Sequence, residues 1–222
     1  MKKMQYSPER FPPFFYGPEG RLIQVEYAAE AVSRGSTTVG IRTDQFAFIA
    51  SHVRPPRELV DPFDKIFEID EHVGATGSGY ISDMLRLVDE LRVEAQQHRL
   101  TMGTPIDIYT LSKRIGQFIH EFTLYAVRLP ASSLIIAGAD QKGVHLYQID
   151  PSGTFSRGSA FAVGKNAERA IDLIVKSYRK DLTLDDARKL AEQAIESAIG
   201  EKPLLQTGYI KLDEKVFVKE KY

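Results

Sequence analysis

Apolar positions recur at intervals of three and four from Arg21 to Arg34. Leu22, Val25, Ala29 and Val32 share one side, which predicts an amphipathic helix stopped by Gly35. The period then drops to two. "STTVGIRT" (36–43) and "QFAFIAS" (45–51) alternate and are rich in β-branched and aromatic residues, predicting two strands that turn near Asp44-Gln45. "RPPRELVDPF" (54–63) is a proline-broken loop, followed by short strands at "KIFEID" and "HVGATG". Two long helical patterns come next. Ser78 to Leu100 sets Tyr80, Met84, Leu87, Val88 and Leu91 on one face, and Pro105 to Tyr125 does the same with Ile108, Leu111, Ile115, Phe118 and Phe122. Strands return at "SSLIIAGAD", "VHLYQID" and "FSRGSAFAVG", with turns at Gln141-Lys142-Gly143 and Pro151-Ser152-Gly153. Helices over Asn166–Asp181 and Thr183–Gly200 follow, the second opened by a capping box of Thr183 with Asp186. "QTGYIKLD" and "VFVKE" close the chain as strands.

Strands in blocks and helices in blocks argue against a parallel sheet built from βαβ units. Two antiparallel sheets packed face to face, each covered by a helix pair, would bury every apolar face. The expected class is therefore α+β, a four-layer αββα sandwich spanning 21–222 as one domain, with helix 21–34 included. Residues 1–20 hold four of the eleven prolines and have no period, so they read as an extended or turning arm. The arm carries Phe11, Phe14, Phe15 and Tyr16, aromatics that need a surface to dock on.

Composition narrows the chemistry. Twenty-nine basic and 30 acidic side chains leave a formal charge of −1, which argues against a phosphate-tracking surface and hence against nucleic acid. With no cysteine there is no disulfide, thiolate metal site or cysteine nucleophile. No apolar run is long enough to span a membrane, and the broken first twenty residues do not suit a signal peptide, so a cytoplasmic protein is expected. Gly74, Gly77 and Gly79 precede a helix, but no Lys-Ser/Thr pair follows to make a nucleotide loop. Histidines 52, 72, 98, 120 and 145 lack metal-ligand spacing. Asp181, Asp185 and Asp186 are better explained by helix capping than by calcium. No cofactor and no metal are expected.

"GPEGRLIQVEYAAEAVSRGSTTVGI" (17–41) closely resembles the signature of α-type subunits of the proteasome core particle. "DKIFEID", "GSGYISD", "LIIAGADQKG", "HLYQIDPSG" and "AVGKNAERA" continue the likeness in order, from about Pro18 onward. The resemblance is to a divergent, archaeal-like member and implies an N-terminal-nucleophile-hydrolase fold. Catalytic β-type relatives of that fold use a processed threonine whose free amine acts as base. Here the corresponding residue is Ser36, and its nitrogen is an amide bonded to Gly35. An amide nitrogen has no lone pair for a proton, so the hydroxyl lacks its activator. The acidic residue of active relatives is His52, while their lysine is retained as Lys65.

The resemblance further implies a non-catalytic outer-ring subunit of a threonine-type endopeptidase complex engaged in protein degradation. It would assemble with identical α subunits in a (heptameric) ring, template a ring of proteasome β subunits and pass unfolded protein substrates. An activator pocket would comprise Lys65, Gly79 and Tyr80, the lysine receiving the C-terminal carboxylate of ATPase or other activator tails. At Tyr80 the family usually has a smaller aliphatic residue. A gate would be held by Tyr6, Glu9, Arg10, Pro18 and Tyr27, although "YSPERF" departs from the family's cluster. "YAVRLPASSL" and "SHVRPPREL" are further departures, both in loops. Two alternatives stand beside this reading: a hydrolase self-processed before Ser36, and a ring-forming scaffold or assembly factor without a proteolytic role.

Overall fold

The structure, a computed structural model, describes residues 16–17, 20–125 and 127–220. Tyr6, Glu9, Arg10 and Pro18 lie outside them. Helix α1 (Ile23–Ser33) opens the described chain, behind a turn in which Gly17 N–H donates to Arg21 O at 2.8 Å. Strands β1 (Thr38–Arg42), β2 (Phe46–His52), β3 (Phe67–Asp70) and β4 (Val73–Gly79) follow. Helices α2 (Ile81–Met102) and α3 (Ile108–Leu124) lead to β5 (Ser132–Asp140), β6 (Gly143–Ile149), β7 (Phe155–Arg157) and β8 (Ala160–Val163). Then come α4 (Ala167–Ser177), α5 (Leu184–Ile199), β9 (Leu205–Lys211) and β10 (Phe217–Glu220).

Two five-stranded sheets result, in the orders β10-β9-β2-β1-β8 and β3-β4-β5-β6-β7, with every pairing antiparallel. Alternation along the strands sends side chains into separate apolar layers. Val39, Ile41, Phe46 and Phe48 pack under α4 and α5. Ala47, Ile49, Ile135 and Leu146 meet between the sheets, and Ala75, Leu134 and Ile136 pack under α2 and α3 with Met84, Leu87 and Leu111. This is the expected α+β sandwich.

Several local readings need correction. "FSRGSAFAVG" is two strands: β7 pairs with β6 in one sheet, and β8 pairs with β1 in the other. The chain changes sheets at Gly158-Ser159, where Gly158 N–H donates to Leu146 O at 3.1 Å and Arg42 N–H to Ser159 O at 2.8 Å. Helix α2 starts at Ile81, because Ser78 and Gly79 extend β4 along Ser133 and Ser132 of β5. The α4 helix ends at Ser177, short of Asp181, and α3 starts at Ile108, capped by Asp107, after an extended Pro105. On α1 the buried residues are Ile23, Ala28 and Val32, whereas Ala29 is exposed. Tyr80, expected on the buried face of α2, is 61% exposed at its N-cap. The Thr183–Asp186 capping box forms as expected.

Candidate functional site

The head of β1 lies directly behind the end of α1, and its geometry follows from a run of backbone contacts. Gly35 N–H donates to Val32 O at 3.0 Å, closing the helix, and Gly35 O accepts from Lys165 N–H at 2.9 Å. A side chain at Gly35 would overlap Ser78 Oγ, so only glycine lets the helix end settle against β4. Ser78 Oγ completes the seam by donating to Val32 O at 3.2 Å. The peptide bond before Ser36 is thus packed between β4 and the Gly164-Lys165 turn.

Side chains at the strand head follow the alternation of the sheet. Thr38 faces the gap between the sheets, where its hydroxyl lies 2.6 Å from Ser51 Oγ and donates to Gly77 O at 3.2 Å. Thr37 faces the other way and donates to Lys165 O at 2.7 Å. His52 N–H donates to Thr37 O at 3.0 Å, so His52 stands opposite Thr37. It shares a parity with Phe46, Phe48 and Ala50, the face covered by α5. Ser36 shares the parity of Thr38, so His52 belongs to the opposite face. Burial holds the His52 imidazole below its ordinary pKa, against an opposing hydrogen bond with the Leu204 backbone. Its Nδ1 is buried without a hydrogen-bond partner among the described residues. Nothing in this placement lets His52 take a proton from Ser36.

Lys65 is 7% exposed, not the solvated surface lysine that its place before a strand would suggest. Its backbone N–H donates to Gln206 Oε1 at 2.7 Å, away from the ladder that begins at Phe67. Burial lowers the ammonium from its ordinary 10.5 to about 8. Among the described residues it has no carboxylate within ion-pair distance. Gly79 and Tyr80 line an open pocket of ≈ 370 Å³ together with Tyr27, Glu30, Arg34 and Gly35. Tyr27, expected at the gate, therefore shares a concavity with the two residues expected at the activator pocket. Lys65 does not line that concavity.

Gly79 is itself dictated by the backbone. Its φ is +123°, and a Cβ there would overlap Ala131 O. Tyr80 N–H donates to Ala131 O at 2.9 Å, and Tyr80 O accepts from Ser132 Oγ at 2.9 Å, so the start of α2 is clamped while the phenol projects outward. Sequence reasoning missed the residue that completes this clamp. Asp83, buried in the first turn of α2, accepts from both Arg128 Nη atoms, at 2.6 and 2.7 Å, and from Ala131 N–H at 2.8 Å. Arg128's hydrogen bonds hold the carboxyl below the usual carboxylate range against the opposing effect of burial. The only signal in the sequence is an acid in a helix's first turn, and nothing there points to a partner 45 residues away.

A family model described as proteasome subunit matches residues 32–209. The chain belongs to the proteasome subunit family. Among proteasome subunits, it is 39% identical to the Methanopyrus kandleri "Proteasome subunit alpha" over 82% of this chain and 76% of that one. The "Proteasome subunit alpha" of Archaeoglobus fulgidus is 38% identical over 91% and 84%. "Proteasome subunit alpha type-5" of Trypanosoma brucei brucei is 40% identical over 84% and 79%. The family expected from the motifs is the family found, with archaeal α-type proteasome subunits prominent. Among the described residues, no helix is long and apolar enough to cross a membrane.

Proposed function

We propose that this chain works as a non-catalytic α-type subunit of a cytoplasmic proteasome particle. It would join identical copies in a (heptameric) ring, stack on proteasome β subunits through the single domain 21–222, and admit unfolded substrates through a pore gated by the arm 1–20. The observation that carries the reading is the sealed Gly35–Ser36 bond. The carbonyl is held by Lys165 N–H at 2.9 Å, and the glycine is packed on Ser78 too tightly for any side chain. With its nitrogen an amide and His52 on the other face, the Ser36 hydroxyl lacks the free amine and the acidic residue that the resemblance gives to active relatives.

Activator tails would dock beside α1. The buried amine of Lys65, which has no ion-pair partner among the described residues, favours a carboxylate, since an anion there would offset the cost of burying the charge. The α2 N-terminus, which has no side-chain cap at Tyr80, adds attraction for the same anion. Gly79, Tyr80 and Tyr27 supply one wall of the pocket, and the neighbouring subunit would supply the other. Native mass spectrometry of the chain, alone and with β subunits, should show a closed ring and its stacked complex. Peptide hydrolysis by the stacked particle should be unchanged by Ser36→Ala. Turnover by the chain alone, lost in Ser36→Ala, would defeat the assignment and favour a self-processed hydrolase. A stable monomer that ignores β subunits would favour a scaffold or assembly factor.

A further inference from the structure

The concavity beside α1 takes its two flanks from different elements. Tyr27, Glu30 and Arg34 stand on α1, while Gly79 and Tyr80 lead into α2. Among the described residues, no hydrogen bond joins α1 to α2. The apolar cluster beneath α1, Ala28 with Leu129 and Ala131, contains no α2 side chain either. The spacing of the flanks is therefore set by what lies between the two helices.

That is segment 127–131, which is stitched to both. On the α2 side, Ala131 O accepts from Tyr80 N–H at 2.9 Å, and Ala131 N–H donates to Asp83 Oδ2 at 2.8 Å. Arg128 adds a fork, its Nη1 and Nη2 donating to Asp83 Oδ2 and Oδ1 at 2.7 and 2.6 Å. On the α1 side, Gln24 Nε2 donates to Val127 O at 2.8 Å. Leu129 and Ala131 pack there on Ala28, flanked by Val25 and Ala31.

Two donors three residues apart thus end on one carboxylate. The Arg128 side chain is 70% exposed, against 8% for Asp83. A guanidinium so open to water buries little apolar surface, and its planar fork fixes direction rather than filling space. What it directs is the backbone of 127–129, on which the Gln24 and Leu129 contacts with α1 depend. Releasing the fork leaves Tyr80 on Ala131 O and the end of α1 on Ser78. Both helices keep a tether, and the distance between them becomes variable.

We propose that Asp83 is a positioning residue of the tail-docking concavity: through Arg128 and Ala131 it locks segment 127–131, and the locked segment sets how far Tyr27 stands from Tyr80. The docking role rests on the reading above, whereas the spacing rests on these hydrogen bonds.

The test uses the assembled ring of the full chain. With no native cysteine, Tyr27→Cys and Tyr80→Cys put its only thiols on the two flanks, at positions 55% and 61% exposed. Bis-maleimides of graded span then react with the pair, and mass separates intrachain from interchain links. The parent pair should favour one span, and adding Asp83→Asn or Arg128→Lys should abolish that preference. Asp83→Asn keeps an acceptor for Ala131 N–H, and Arg128→Lys keeps the charge without the fork, so the result does not hang on one variant folding. With both tyrosines restored, the probe is a fluorescein-labelled heptapeptide ending in leucine with a free carboxylate. Either variant should bind it about tenfold more weakly, as expected when the competent spacing is held about a tenth of the time. An unchanged span preference in both variants overturns the proposal, as does peptide affinity lost in Lys65→Met yet unchanged in both. A lost span preference in a ring whose parent binds no peptide overturns the docking reading instead, and leaves the spacing role of Asp83 standing.

Discussion

Replacing Lys65 by methionine separates a residue kept for binding from one kept for stability. Lys65 is 7% exposed, and among the described residues it has no ion-pair partner; burial lowers its pKa from 10.5 to about 8. The sign follows from linkage. A lysine whose folded pKa is depressed is charged in both states below pH 8, and there the folded state bears the whole penalty. Between pH 8 and 10.5 the folded state releases its proton first, so stability rises with pH and the penalty vanishes above the unfolded value. Two and a half pKa units correspond to about 3 kcal/mol at neutral pH, the most that removing the charge can return. Methionine is close in length and apolar, so it should fill the site without a cavity. We expect Lys65→Met to raise the melting temperature of the isolated chain at neutral pH by up to roughly 6–12 °C, at about 2–4 °C per kcal/mol. The gain should shrink as the pH approaches 10.5. The same variant should lose binding of C-terminal tail peptides in the assembled ring. Differential scanning calorimetry across this pH range gives the first readout, and fluorescence anisotropy of labelled tails the second. A variant that melts lower at neutral pH, or a stability difference flat with pH, would refute the reasoning.

Three further outcomes follow from named contacts. Asp140 is half-buried, which opposes ionisation, yet the hydrogen bonds from His145 and from the Ile108 and Lys142 N–H groups win and hold its pKa at about 2. Its contribution is present above the ordinary 3.8 and is lost as pH falls through 2, so Asp140→Asn should cost about 2 kcal/mol at neutral pH and progressively less in acid, read by urea denaturation. Gly79→Ala forces an L side chain into φ +123° and onto Ala131 O, and should cost about 2–3 kcal/mol by the same assay. Thr183→Ala removes the capping-box hydroxyl that accepts from Asp186 N–H at 3.1 Å, and a loss of about 1 kcal/mol in thermal unfolding is expected.

Much of the architecture was written locally. The repeats of Met84, Leu87, Val88 and Leu91, and of Ile108, Leu111 and Ile115, marked helix faces that are buried. The capping signal at Thr183 was equally direct, because its partners lie three residues apart. The motif around Ser36 could also be judged without coordinates, since an amide nitrogen cannot be a base wherever the chain goes. Boundaries failed where a neighbour overrode propensity. Ser78 and Gly79 remain strand because β5 offers Ser133 and Ser132 as partners, and "FSRGSAFAVG" splits because two sheets compete for its two halves.

What the chain determined by itself was the set of apolar faces, the order of strand and helix blocks, and the covalent tether that leaves Ser36 without an amine. What only the tertiary structure decided was which faces meet: His52 on the side away from Ser36, Lys65 buried, and Tyr27 in one concavity with Gly79 and Tyr80. Periodicity reports that a side chain is turned inward. It carries no term for residues tens of positions away, and those set the charge, the hydrogen bonds and the free volume at a site.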